Sequence, residues 1–246
     1  MIETTINDAP TMRDEAERST MRLRPGDEIL GRYVVQGELG QGGMGVVYKC
    51  LDKVGGVEVA MKGLPPEVSH NADEMEEVRD NYRLVQGLRH PNICGIQILE
   101  KDERGDYYLV MDLAGGENLN RWLKRHPDAT DMQKISILRQ IAAALDYAHE
   151  MKIIHRDVKP ENVMVYEDGT AQVLDFGLAA QVRSSLSRTS QAVTSKSGTP
   201  GYKAPEQWLG RPQGPASDQY ALGVIAYKMF AGFLPFDGDD IVVLGF

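Results

Sequence analysis

One stretch restricts this chain more than any other: Ile154-His155-Arg156-Asp157-Val158-Lys159-Pro160-Glu161-Asn162, followed by Asp175-Phe176-Gly177. It supplies a carboxylate (Asp157), a cation two residues on (Lys159) and two hard-oxygen donors (Asn162 and Asp175). Such groups serve chemistry that positions a polyanion, neutralises its charge and handles a hydroxyl proton. A three-residue match alone carries little weight. Two in this order, with the Lys159 and Asn162 offsets intact, require a fold that brings two loops to one point.

Three further blocks occur in order along the chain. Gly40-Gln41-Gly42-Gly43-Met44-Gly45-Val46-Val47 is a glycine-rich run whose backbone N–H groups can approach phosphates without side-chain obstruction. Dinucleotide folds share the G-x-G-x-x-G pattern, but they need a helix next. Here Val46-Val47-Tyr48-Lys49-Cys50 is β-branched and aromatic, so a hairpin is expected. Val59-Ala60-Met61-Lys62 sets a lysine on a strand, and Ala204-Pro205-Glu206 follows Gly198-Thr199-Pro200-Gly201-Tyr202. Together these blocks resemble the eukaryotic-type protein kinase family, and their wording is most similar to its bacterial Ser/Thr kinases. The resemblance runs from about Ile29 to Phe246.

The resemblance implies an α+β, bilobal protein-kinase-like fold. Its N-lobe would be a five-stranded antiparallel sheet with one αC helix, and its C-lobe mainly helical and truncated after the αF helix. The corresponding units are a flexible tail at 1–28, the N-lobe at 29–112 and an incomplete C-lobe at 113–246. The implied activity is transfer of the ATP γ-phosphoryl group to Ser/Thr hydroxyls of protein substrates, with ATP and Mg²⁺ as cofactors. A nucleotide-binding pseudokinase acting as a scaffold is the alternative.

Residue by residue, the same resemblance makes Asp157 the base for the substrate hydroxyl, Lys159 the charge-compensating cation and Lys62 the partner of the α- and β-phosphates. Asn162 and Asp175 would hold magnesium, which favours few protein oxygens plus phosphate and water. Leu39, Gly40, Gln41, Gly42, Gly43, Met44 and Gly45 would cover the nucleotide. Val47, Ala60 and Met164 would enclose adenine, with Met111 as gatekeeper and Asp112–Ala114 offering hinge backbone before Gly115-Gly116. Glu117 is either a ribose contact or a solvated carboxylate. His155 and Phe176 read as packing residues.

Two departures stand out. Counting back from His90-Pro91-Asn92-Ile93, the αC glutamate of active relatives is replaced by Asn81, whose amide could still hydrogen-bond Lys62; Glu77 or Asp80 could substitute if the helix shifts. Second, Leu234-Pro235-Phe236 normally precedes further helices, yet the sequence ends at Phe246. Either a missing segment or a partner chain would cover that face. Glu206 would lose the arginine that normally buries it, at a cost of about 3–5 kcal/mol if unpaired, less if it is solvated.

Composition restricts the rest. The 246 residues can bury a substantial core, and a net charge of −9 argues against a broad nucleic-acid face. Arg183, Arg188, Lys196 and Lys203 form either a local basic patch or a solvated loop. Cys50 and Cys94 lack metal-ligand spacing and read as free thiols of a cytoplasmic protein. His70, His126 and His149 read as structural or exposed. No signal peptide or membrane-spanning run is evident.

Patterning gives strands at Tyr33–Glu38, Gly45–Leu51, Val57–Lys62, Ile96–Glu100 and Tyr107–Asp112. Helices are expected at Met75–Leu88 (αC), Asn118–Arg125 and Met132–Glu150, with a short one at most within the tail, around Met12–Arg22. Trp122 and Met132 read as core fillers. Asp218 would cap the αF helix and brace the catalytic loop. Ser184–Ser197 is rich in Ser and Thr, and a phosphate there could dock on Arg156.

Overall fold

The computed structural model describes residues 22–42, 45–176 and 200–236. Outside them lie residues 1–21 with all but the end of the expected tail helix, the loop tip Gly43-Met44, Gly177, the Ser/Thr-rich run, Arg183, Arg188 and Lys196. The end of the expected tail is instead tied to the sheet, since Gly26 and Asp27 hydrogen-bond to Val35 and Glu28 enters β1.

All five expected strands form: β2 (Tyr33–Gly42), β3 (Gly45–Asp52), β4 (Val57–Gly63), β5 (Ile96–Lys101) and β6 (Tyr107–Asp112). A sixth, β1 (Glu28–Ile29), extends the antiparallel sheet to the order β1-β2-β3-β4-β6-β5. Two residues are too few for an alternation to show in sequence. The strand arises because Leu30 and Gly31 take positive φ, 55° and 61°, and return the chain so that Ile29 faces Tyr33.

Alternation along β4 sorts its side chains between two cores. Val59 and Met61 join Tyr33, Val35, Tyr48, Cys50 and Val110 on one face of the sheet. Ala60 joins Leu109 and Met111 on the other, where the main core begins. Lys62 follows Ala60 by two positions and so shares that inner face.

Between β4 and β5 lie a single-turn helix, α1 (Pro66–Ser69), and α2 (Ala72–Val85). The second starts earlier than its apolar pattern suggested because Asn71 caps it, accepting from the Asp73 and Glu74 amides. Met75, Val78 and Val85 pack inward.

The second lobe holds α3 (Leu119–Arg125, capped by Asn118), α4 (Asp131–Glu150), α5 (Pro205–Trp208), α6 (Pro215–Ala231) and a sheet of β7 (Glu117–Asn118), β8 (Val163–Val165) and β9 (Ala171–Val173). A Thr130–Gln133 capping box opens α4. Its buried stripe is Ile137, Ile141, Ala144, Leu145 and Ala148, in the same core as Ala221, Val224 and Ile225 of α6. Met132 falls off that stripe and is 74% exposed, so it is no core filler; Ile135 is exposed as well. Trp122 is buried and stacks on His126.

Two further expectations change. Helix α6 begins before Asp218, with Gly214 at the cap and Pro215 in the first turn, where a fixed φ suits helix entry. Asp218 is therefore a first-turn residue, not the cap. Glu206 is half-buried and accepts from the Ser217 hydroxyl, which holds its carboxyl below the ordinary value. The penalty for an unpaired buried carboxylate does not arise.

Candidate active site

Strand β4 sets Lys62 between Val47 of β3 and Leu109 of β6, where it is 7% exposed. Its Nζ lies 2.7 Å from Asp175 Oδ2. Burial pushes the Asp175 carboxyl up, but the charge and hydrogen bond of Lys62 outweigh it, and the carboxyl ends below its ordinary value. Asp175 adopts a left-handed φ of 60° and Arg156 one of 66°. Such backbone costs of order 1–3 kcal/mol for a non-glycine residue and gathers at functional sites.

That strained pair of loops is fastened from several sides. The His155 ring packs edge-on against Phe176, and its Nε2 meets the Leu174 carbonyl at 2.8 Å. The Leu174 amide donates to the Asn162 carbonyl at 2.8 Å. Asp218, 1% exposed, accepts from the His155 and Arg156 amides and from His149 Nε2, each at 2.8 Å. The bracing role read for Asp218 is therefore present, and His149 belongs to it, a link that no spacing in the sequence announced. His155 and Phe176 are packing residues as expected.

At the centre, Lys159 Nζ lies 2.9 Å from Asp157 Oδ2. Asn162 Nδ2 donates to the Asp157 carbonyl at 2.8 Å and to Oδ2 at 3.1 Å. The planar amide then directs Asn162 Oδ1 away from Asp157. This oxygen and the Asp175 carboxylate are hard donors of the kind magnesium takes, so the residues present fit that ion. A narrow cleft beside Asp157 is lined by Arg156, Lys159, Tyr202, Lys203 and Gln207.

The glycine-rich run is a hairpin, as its β-branched sequel required: Gly40 faces Val47 and Gly42 faces Gly45. Gly45 has a φ of 111°, and a Cβ there would run into the Gly63 carbonyl. It is thus needed for close packing on β4, besides any ligand. Gln41 accepts from Arg22, and Leu39 is exposed. Gly43 and Met44 lie outside the described residues.

Ala60 stands opposite Met111 in the sheet, with Val47 packed on the same core. Met164 is half-buried on β8. After β6 the hinge runs through Asp112, whose carboxylate accepts from Gln97, to Ala114 and Gly115. Glu117 is on β7 and pairs with Arg125 at 3.0 Å, so it is not a freely solvated carboxylate.

Asn81 does not reach Lys62. Its Nδ2 donates to the Glu77 carbonyl at 2.8 Å, one turn back on its own helix. Among the described residues, the ion-pair partner of Lys62 is Asp175.

Sequence reasoning missed Asn92, Gln140, Tyr166 and Gln172, which stitch the loop after α2 and the hinge to the β8–β9 hairpin. Asn92 sits in the His90–Ile93 block, which serves above only to set the register of α2, and the other three are polar residues in no motif. Apart from the Tyr166–Gln172 pair, these contacts join positions far apart in the chain.

A family model described as "Protein kinase domain" matches residues 33–243. The serine/threonine-protein kinase PknA of Mycobacterium tuberculosis is 38% identical over 229 residues, covering 91% of this chain and 52% of the relative. PrkC of Bacillus subtilis is 33% identical over 217 residues, covering 88% of this chain and 33% of the relative. The chain thus spans about half the length of the first of these relatives and a third of the second. The kinase domain of Mycobacterium tuberculosis PknI superposes with a TM-score of 0.69 at 27% identity, covering 88% of this chain and 80% of that structure.

Proposed function

The chain belongs to the protein kinase family, and from that premise we propose that it is an ATP-dependent serine/threonine kinase acting on proteins. The observation that carries this reading is the convergence of Lys62 and Asp175 at 2.7 Å beside the Asp157–Lys159–Asn162 cluster. A scaffold without catalysis would not need all five groups held together.

Bound MgATP would supply the transferable phosphoryl group and the cation that spreads its charge. The chain's residues do the rest. Asp157 accepts the proton of a Ser or Thr hydroxyl in the adjoining cleft, oriented by Lys159 and Asn162. Lys159 balances negative charge near that hydroxyl, and Lys62 balances it on the phosphate side. Asn162 and Asp175 offer oxygens to the cation. Ala60, Val47, Met111 and Met164 would exclude water from the adenine, and the backbone of Asp112–Ala114 would meet its polar edge. Leu39 and the glycine-rich run would cover the phosphates.

Free thiols and the need for ATP agree with a cytoplasmic location. The exposed aromatic side chains of Tyr227, Phe230, Phe233 and Phe236 suit covering by further polypeptide. Among the described residues, no helix is long and apolar enough to cross a membrane.

Thermal unfolding with and without MgATP, followed by radiolabel transfer from γ-labelled ATP to casein and phosphoamino-acid analysis, tests the proposal. MgATP is expected to stabilise both wild type and Asp157→Asn, whereas phosphoserine or phosphothreonine is expected from wild type and not from the variant. Stabilisation without transfer would leave a nucleotide-binding scaffold.

A further inference from the structure

Tyr166 belongs to none of the motifs. It follows β8, and its hydroxyl accepts from the Gly115 amide at 3.0 Å while donating to Gln172 Oε1 at 2.6 Å. Gln172 Nε2 in turn donates to the Pro91 carbonyl at 3.2 Å. A relay therefore runs from the hinge, across the β8–β9 hairpin, to the loop that follows α2.

The ring adds a second constraint. A Cβ on Gly115 would come within 2.8 Å of Tyr166 Cε1, so the ring rests directly on the hinge backbone. Gly116, next in sequence, has a φ of 73° and sits against the Val165 carbonyl so closely that a Cβ could not be placed. Side chain and backbone together hold the end of the hinge to the hairpin. Elsewhere such a run as Ala114-Gly115-Gly116 would sample many conformations.

We infer that Tyr166 is a positioning residue for nucleotide recognition, fixing the hinge backbone that meets the adenine edge; this rests on the nucleotide-binding reading above. The hydroxyl gives the Gly115 amide its acceptor before any ligand arrives. The glycines are then already ordered, and that entropy is not lost again on binding. Without the hydroxyl, the ligand itself would have to order the hinge. The loss should fall on groups that the hinge touches and spare those held by the glycine-rich loop and Lys62.

The test uses the full chain and the variants Tyr166→Phe, which keeps the ring and removes the hydroxyl, Gln172→Leu, and the two combined. Titration calorimetry with adenosine and with inorganic tripolyphosphate separates the two ends of the nucleotide, alongside steady-state kinetics in ATP. Tyr166→Phe should weaken adenosine and raise KM for ATP by the same factor, about threefold to tenfold. Tripolyphosphate affinity and kcat should each move by less than about twofold. Gln172→Leu should weaken adenosine less, and should add little once the hydroxyl is gone, because the two side chains act in one relay. Parallel losses for adenosine and tripolyphosphate, or a fall in kcat alone, would mark a general structural role and overturn the inference. Unchanged adenosine binding in Tyr166→Phe would overturn it while leaving the nucleotide reading intact. A wild-type protein that binds no adenosine would overturn both.

Discussion

Lys62 on β4 and Asp175 just beyond β9 are 113 positions apart in sequence and 2.7 Å apart in space. Two lobes with separate local patterns thus share one ion pair at the point where a polyanion would sit. In water such a pair at contact distance is worth little, but Lys62 is almost wholly buried, so breaking it leaves an uncompensated charge.

The two aspartates of the site should separate in their effects. Asp157→Asn should lower kcat by about 10²–10⁴-fold while leaving nucleotide affinity near wild type, because on the proposed function its carboxylate would act on the acceptor hydroxyl. Asp175→Ala should weaken MgATP by about tenfold or more, because it removes an oxygen donor and unpairs Lys62. Equilibrium binding and single-turnover rates for both variants check this. An equal loss of affinity in the two would contradict the division of labour.

Asp218 braces the backbone of the loop that carries Asp157. Its two oxygens take three donors, two of them backbone amides that have no water to turn to. Asp218→Ala should therefore cost about 3–5 kcal/mol, within the range for removing one partner of a buried polar network. Urea denaturation measures it, and a loss below about 1 kcal/mol would mean that the loop finds other acceptors.

What was legible in the sequence had a local signature. Strands β2 to β6 are written in runs of consecutive β-branched, aromatic and other apolar residues, and the loop groups Asp157, Lys159 and Asn162 sit at fixed short offsets. Lys62 and Asp175 could be named from their own tripeptide surroundings. The illegible parts lacked one or the other. Strand β1 has two residues and depends on left-handed Leu30 and Gly31. Met132 shows an apolar side chain but not which helical stripe is buried. The family pattern points Glu206 to an arginine outside this sequence, whereas its partner is Ser217, a small residue with no periodicity to mark it. Tyr166 is the extreme case, since its partners come from the hinge and from the strand after the next turn.

Acid should unfold the N-lobe partly through Asp52. Arg32 grips this carboxylate with two hydrogen bonds, Nε to Oδ1 at 2.8 Å and Nη2 to Oδ2 at 2.7 Å, and the Val54 amide adds a third. The Arg32 bonds are the main reason that its carboxyl lies well below the ordinary range; burial opposes them. A carboxyl with a depressed folded pKa contributes its stability above the unfolded value, about 3.9, and loses it as pH falls towards the folded value. The gap in Tm between wild type and Asp52→Asn should be widest above about pH 5 and should narrow progressively as pH falls below about 4. A gap that stays constant from neutral pH to the acid limb would remove Asp52 from the account.

Asn81 stands where the family resemblance implies a glutamate facing Lys62. The asparagine is half-buried on α2 and spends its amide on the Glu77 carbonyl, so it lends Lys62 no charge. Lys62 is therefore held from the Asp175 side, by the same carboxylate whose oxygens would be wanted by a cation. A glutamate at position 81 would offer a second anion in a partly desolvated cleft and release Asp175 for metal binding. Asn81→Glu should raise kcat/KM for ATP by about threefold to thirtyfold, equivalent to ~0.7–2 kcal/mol. If a neighbouring carboxylate already fills that role, the substitution should do little, and Glu77→Gln or Asp80→Asn should be the damaging change. Asp80 is engaged with Arg83 at 2.7 Å on the exposed side of the helix, which makes it the weaker candidate. Steady-state phosphotransfer by the three variants decides between these outcomes. Unchanged rates in all of them would mean that the Lys62–Asp175 pair is sufficient on its own and that no αC carboxylate limits this protein.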